Sequence, residues 1–286
     1  MIFVEAQELF KRELSAVYDD SEIQTAFNWV LEHLTKLSPI ELRLTFDKQQ
    51  FTEFQEKQFI QIIEELKSHK PLQYALGEAT FYGLNFKVNE NVLIPRPETE
   101  ELVDWILQEN TLQSPTILDV GTGSGCIAIS LKKNIPNAKV FALDISEKAL
   151  ELAQENARHN QTEIHFLHRD ILNNTLEDVS QFDIIVSNPP YIRDLEKKMM
   201  QANVLEYEPH LALFVSNENP LIFYDRISSL AQEKLQKNGI LFFEINQYLG
   251  MEMQNLLQKK SFSEIEIRKD LNQNERMLKS KYDISH

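Results

Sequence analysis

Thr116-Ile117-Leu118-Asp119-Val120-Gly121-Thr122-Gly123-Ser124-Gly125 is a short apolar run that ends in a glycine-rich turn. The run predicts a buried strand, and the turn hands the chain to a helix carrying Ile127, Ile129 and Leu131. The chain has only seven glycines, and three of them fall in this one turn. Such a turn serves as a tight strand–helix connection or as a cradle for a nucleotide-like ligand.

Downstream, the same texture repeats. Strands are predicted over 139–143, 163–168, 182–187 and 240–245, and helices over 147–159, about 220–237 and 247–259. Alternation of this kind predicts an α/β fold with a mostly parallel, doubly wound, Rossmann-like sheet of seven strands, with ligands at the C-terminal strand ends. The last two strands, 262–268 and 276–282, have no helical pattern between them and are expected to pair antiparallel.

Upstream, residues 1–71 read as a small α-helical domain. Phe3, Ala6, Phe10, Leu14 and Val17 keep helical spacing, and Asp19-Asp20-Ser21 breaks it. Ile23 to Leu34 gives a second helix begun by an Asp or Ser cap. Ser38-Pro39 opens a short third element with Ile40, Leu42 and Leu44. Phe51 to Leu66 forms a fourth helix that must end before Pro71. From 72 to 94, Tyr74, Phe81, Tyr82, Phe86, Val88 and Val92 favour β-structure while Gly77, Gly83 and Asn89 mark turns, so a β-hairpin linker is expected. The segment 95–286 forms the main domain, and Pro97 followed by acids opens its first helix.

Composition narrows the function. A net charge of −15 and the lack of any Lys/Arg cluster beyond short pairs argue against a surface that tracks a nucleic-acid backbone. A single cysteine, Cys126, excludes an internal disulfide framework and a Cys/His zinc cluster; it is expected as a small buried side chain. No apolar run approaches the ~20 residues of a membrane span, and the N-terminus has no basic leader pattern. A cytoplasmic protein without a metal is expected.

Details of the glycine turn point to its ligand. The third glycine of a dinucleotide pattern is out of register, because Cys126 follows Gly125. Asp119 would repel a pyrophosphate but can receive an ammonium, directly or through water. S-adenosylmethionine, a nucleoside joined to an amino acid, meets both conditions at Gly121, Thr122, Gly123, Ser124 and Gly125. Asp144, at the end of the next strand, is placed to accept the two ribose hydroxyls, with a helix N-cap as the alternative. Asp170 would accept the adenine amine, and Ile171 would pack on the ring.

The strand Phe182-Asp183-Ile184-Ile185-Val186 stops at Ser187-Asn188-Pro189-Pro190-Tyr191. Two prolines stiffen the corner and restrain the residues before them. The Asn188 amide oxygen and the Pro189 carbonyl suit a planar NH2 group. Asn188 also borders the cofactor, and Tyr191 is expected to pack against the substrate amide. His168 and His210 read as surface or packing histidines rather than bases.

Asp-Val-Gly-Thr-Gly-Ser-Gly, then Leu143-Asp144, then Asn188-Pro189-Pro190-Tyr191 resembles the class I S-adenosylmethionine-dependent methyltransferases that modify a planar nitrogen. Pro71-Leu72-Gln73-Tyr74-Ala75-Leu76-Gly77, Phe81-Tyr82-Gly83, Leu93-Ile94-Pro95-Arg96-Pro97-Glu98-Thr99-Glu100 and Tyr207-Glu208-Pro209-His210-Leu211-Ala212-Leu213 are similar to the HemK-type glutamine methyltransferases. The sequence departs from that family's usual glycines near Asn219-Pro220 and near Gln273. The resemblance implies methyl transfer to the Gly-Gly-Gln glutamine of peptide chain release factors, catalysed at Asn188, Pro189, Pro190 and Tyr191. The helical domain is expected to recognise the protein substrate, with a plain structural cap on the next domain as the alternative. The expected enzyme is a monomer that binds neither nucleic acid nor membrane. A ribosomal-protein glutamine, an amino group of DNA or RNA, and a non-catalytic assembly role are the alternatives.

Overall fold

A computed structural model describes residues 1–282 except 174, 175, 177, 178, 180 and 201; positions 283–286 of the expected main domain lie outside the described residues. The chain divides into two compact units, Met1–Glu78 with Gln201–Tyr207, and Ala79–Met200 with Glu208–His286.

The first unit is helical: α1 (Phe3–Leu14), α2 (Asp20–Thr35), α3 (Pro39–Thr45), α4 (Glu53–Lys67) and α5 (Leu72–Leu76). Side chains that satisfy free backbone N–H groups set the starts. Asp19 accepts from Ser21 and Glu22, Ser38 from Glu41, and Thr52 from Gln55. The helices bury a core of Phe3, Phe10, Phe27, Phe51 and Phe59 with Val30, Leu31 and Ile63. α5 replaces the start of the expected hairpin. Pro71 precedes it, and Gly77 closes it in the left-handed region at φ 71°.

In the second unit the hairpin itself is short, β1 (Glu78–Phe81) and β2 (Leu84–Lys87), and α6 (Pro97–Glu109) follows. Then come β3 (Thr116–Val120), α7 (Cys126–Asn134), β4 (Lys139–Asp144), α8 (Glu147–His159), β5 (His165–His168) and β6 (Phe182–Ser187). Two-residue strands β7 (Ile192–Arg193) and β8 (Phe214–Val215) flank α9 (Ala202–Tyr207), which clusters with the first unit, and α10 (His210–Leu213). The described residues end with α11 (Ile222–Lys234), β9 (Leu235–Glu244), α12 (Gly250–Lys259), β10 (Phe262–Lys269) and β11 (Glu275–Tyr282).

The main sheet has seven strands in the order β10-β11-β9-β6-β3-β4-β5. β9, β6, β3, β4 and β5 run parallel, and β11 pairs antiparallel with both β9 and β10. This is the expected sheet class. β9 starts five residues before the predicted strand. Its pairing skips from Leu235 opposite Phe182 to Ile240 opposite Ile184, a bulge that includes Gly239. Gln273, near which the resemblance implies a glycine, sits in the turn between β10 and β11 at φ 66°.

Adjacent residues on each strand face opposite cores. Ile117, Ile184 and Phe242 join Trp105, Ile106, Ile129 and Leu131 on one face. Leu118, Ile185 and Phe243 join Tyr224, Ile227, Leu230 and Met253 on the other. Both faces are thus covered, which is why the strands read as continuous apolar runs rather than alternating ones. From β3 the chain builds outward to β4 and β5, then returns to the opposite side with β6. The strand order therefore switches direction between β3 and β6, where a crevice opens beyond the carboxyl ends.

Candidate active site

The glycine turn follows β3 and the Asn-Pro-Pro-Tyr corner follows β6, so the two sequence motifs emerge side by side at that switch. The Ser187 hydroxyl donates to the Val120 carbonyl at 2.7 Å and ties the two strand ends together. A cavity of about 320 Å³ lies above them, within the ~300–1,000 Å³ common for small-ligand sites. Its walls include the loop residues Gly121, Thr122, Gly123 and Ser124, then Asp144, Asp170, Ile171, Asn188, Pro189 and Pro190.

Gly123 has φ 54°, its N–H donates to Asp144 Oδ2 at 2.9 Å, and a Cβ built on it would meet nothing within 4 Å. The loop thus presents bare backbone to open space, which suits close approach by a ligand. Gly125 serves packing instead. At φ 83° a Cβ there would stand 2.9 Å from Ile129 Cδ1, closer than such atoms pack, and a tight 3.2 Å from Ala153 Cβ.

Asp144 is not a helix cap, since Ser146 caps α8 through the Ala149 N–H. Its Oδ1 accepts the Ser146 N–H at 2.9 Å, and the carboxylate lines the cavity with lone pairs to spare. Burial raises its pKa, opposed by those backbone hydrogen bonds. Asp170 accepts from the Leu172 N–H and the Asn173 side chain, so the wall it forms is held in place. Ile171 beside it is buried with the core.

Asp119 departs from its expected position. It is fully buried and does not line the cavity. Oδ2 accepts the Thr122 hydroxyl at 2.6 Å and the Ala128 N–H at 3.3 Å, while Oδ1 is buried without a hydrogen-bond partner. Burial pushes the carboxyl up to about 7. Asp119 therefore organises the loop from below and leaves one carboxyl oxygen unpaired beneath it. Bare loop backbone at Gly123 and the cavity-wall carboxylate of Asp144 fit a ligand that carries a diol, and S-adenosylmethionine is such a ligand.

Tyr191 also departs from expectation. Its ring packs against the core and its hydroxyl donates to Glu244 Oε1 at 2.9 Å; the side chain is not part of the cavity wall. Burial first, and the Glu244 charge second, raise its pKa. The backbone carbonyl of Tyr191 accepts from Asn246, whose amide also reaches the buried Glu196. Tyr191 thus ties the corner to Glu244 and Asn246. Cys126, expected to be buried, is half-buried and lines the cavity, with its thiol pushed up to about 12 by desolvation. His168 stays exposed against the Ile145 carbonyl, and His210 packs edge-on to Phe214.

Residues outside the sequence prediction complete the site. The Asn188 Nδ2 donates to Thr99 Oγ1 at 3.3 Å, and Thr99 Oγ1 donates to Glu244 Oε2 at 2.6 Å. Glu208, nearly fully buried, accepts from the Ile94 N–H and from the Arg96 guanidinium. This joins two cavity walls, Pro95-Arg96 and Pro209-Leu211. A charged residue within the apolar run Leu241-Phe242-Phe243-Glu244-Ile245 is the one sequence signal that marks Glu244.

Comparison with known proteins agrees with this geometry. Residues 99–212 match the methyltransferase small domain, and residues 5–77 match the PrmC N-terminal domain. The release factor glutamine methyltransferase of Flavobacterium psychrophilum is 52% identical over 94% of this chain and 95% of that protein. The enzyme of the same name from Lactococcus lactis is 41% identical over 98% of this chain and 100% of that protein. Among solved structures, the human Mettl16 catalytic domain superposes with a TM-score of 0.57 at 12% identity, covering 82% of this chain and 84% of that one; that likeness bears on fold alone. The chain belongs to the release factor glutamine methyltransferase family.

Proposed function

We propose that this member of the family transfers a methyl group from S-adenosylmethionine to the side-chain N5 of the glutamine in the Gly-Gly-Gln motif of peptide chain release factors. The observation that carries the reading is that the glycine loop, Asp144 and the Asn188-Pro189 corner line one cavity. The protein substrate follows the name shared by relatives that match nearly the whole chain.

S-adenosylmethionine supplies a methyl on a cationic sulfur, which departs as a neutral thioether when the amide lone pair bonds to the methyl carbon. In this reading the loop residues 121–124 cradle the donor, Asp144 accepts its ribose hydroxyls, Asp170 accepts the adenine amine and Ile171 packs on the ring. Asp119 acts through the loop it holds.

A carboxamide nitrogen is a poor nucleophile because its lone pair is conjugated with the carbonyl. Asn188 Oδ1 and the Pro189 carbonyl each accept one substrate N–H, which fixes the nitrogen and favours pyramidal geometry. The excess proton then leaves the nitrogen for water, so no side-chain base is needed. Pro190 and Tyr191 keep the corner rigid. Orientation of this kind contributes several kcal/mol, up to ~7–11 in the best intramolecular cases.

The helical unit grips the release factor. It exposes Trp29, Ile40, Leu44 and Phe54, and Ile40 and Leu44 are four residues apart on one face of α3. Asn188→Ala tests the clamp: kcat on a Gly-Gly-Gln peptide should fall by at least ~100-fold while donor affinity holds. Unchanged turnover would refute it.

A further inference from the structure

The Asn188 amide can stand in two ways, and only one presents its oxygen to a substrate N–H. We propose that Thr99, held by Glu244, sets that choice and so acts as a positioning residue for methyl transfer; this rests on the amide-clamp reading above.

The argument is one of hydrogen-bond direction. Glu244 is almost fully buried at the end of β9, and Thr99 is almost fully buried in the first turn of α6. Both Glu244 carboxylate oxygens accept from hydroxyls: Oε1 from Tyr191 at 2.9 Å and Oε2 from Thr99 at 2.6 Å. Burial raises the Glu244 pKa, while the Thr99 and Tyr191 hydroxyls and the Arg276 charge lower it; in its ionised form the carboxylate only accepts, so the Thr99 proton points at Glu244. The Thr99 oxygen then faces Asn188 as an acceptor, and only the amide NH2 can satisfy it, at 3.3 Å. With Nδ2 committed to Thr99, Oδ1 is left to accept from the substrate. The reversed amide would set an oxygen against the Thr99 lone pairs and offer NH2 to NH2. The Arg276 guanidinium, 3.4 Å from the Tyr191 hydroxyl, adds positive charge beside the carboxylate. The relay thus converts one buried charge into a fixed orientation of the group that grips the substrate.

The test uses the full-length enzyme, a Gly-Gly-Gln peptide and S-adenosylmethionine, with kcat, KM and donor Kd read for the wild type, Thr99→Val and Thr99→Ser. Valine keeps the shape and removes the hydroxyl; serine restores it. The expected result is a fall in kcat of about 100-fold for Thr99→Val with donor Kd within a few-fold of wild type, and recovery in Thr99→Ser to within about tenfold. Wild-type kcat in Thr99→Val overturns the assignment. So does a Thr99→Ser enzyme as slow as Thr99→Val, or a loss seen only in donor binding. A wild-type enzyme that leaves the peptide unmethylated counts against the function itself, whereas an active wild type with an equally active Thr99→Val counts against the relay alone.

Discussion

The Asp144 carboxylate accepts the Gly123 backbone N–H at 2.9 Å, joining the end of β4 to the loop that follows β3. Its other oxygen accepts the Ser146 N–H. One side chain therefore shapes the glycine loop, sets the approach to α8 and still faces the cavity.

Replacing Asp144 with Asn leaves one acceptor and turns the other position into a donor. Hydrogen bonds to a charged acceptor contribute about 1.5–3 kcal/mol, so donor affinity should fall by about 10- to 100-fold. Calorimetric titration of S-adenosylmethionine checks this, and an unchanged Kd would remove Asp144 from the donor site.

Asp119 makes stability depend on pH. Its carboxyl titrates at about 7 in the fold, against 3.8 ordinarily, because it is buried. Between those values the folded protein holds a proton that the unfolded chain has released. Stability from this group is therefore greatest at low pH and is lost as pH rises through 7. Asp119→Asn does not titrate. Urea unfolding at about pH 5 and about pH 8 should show the wild type losing ground to the variant at the higher pH, and a pH-independent difference would contradict the assignment.

Arg96 and Glu208 are unequal partners. Glu208 is buried with a side chain 1% exposed, whereas Arg96 remains 34% exposed. Removing the arginine strands a buried charge, while neutralising the glutamate leaves an arginine that water can reach. Arg96→Ala should cost about 1.5–3 kcal/mol and Glu208→Gln distinctly less. Thermal unfolding of the two variants checks the order, and equal Tm values would contradict it.

The parallel sheet, the helical N-terminal region and the two motif loops were legible in the sequence, because their signals are local. Ile117-Leu118, the run Ile184-Ile185-Val186 and the Gly121–Gly125 turn each carry their own pattern. α5 was missed although Pro71 and Gly77 bracket it in the usual helix order; Tyr74 and the aromatic residues that follow outweighed that signal. The directions of the Asp119 and Tyr191 side chains were not legible, because proximity along the chain does not say which way a side chain turns. Asp119 turns under the loop, and Tyr191 turns toward Glu244. The Thr99–Glu244 and Arg96–Glu208 contacts span 145 and 112 residues, and the fold alone brings them together. No periodicity records such a pairing.

The most direct measurement offers labelled S-adenosylmethionine to the full-length protein with a release factor, ribosomal proteins, DNA and rRNA in parallel, followed by mapping of the labelled residue. The account predicts label on the release factor, at the Gly-Gly-Gln glutamine. Label on nucleic acid or ribosomal protein with none on the release factor would contradict it.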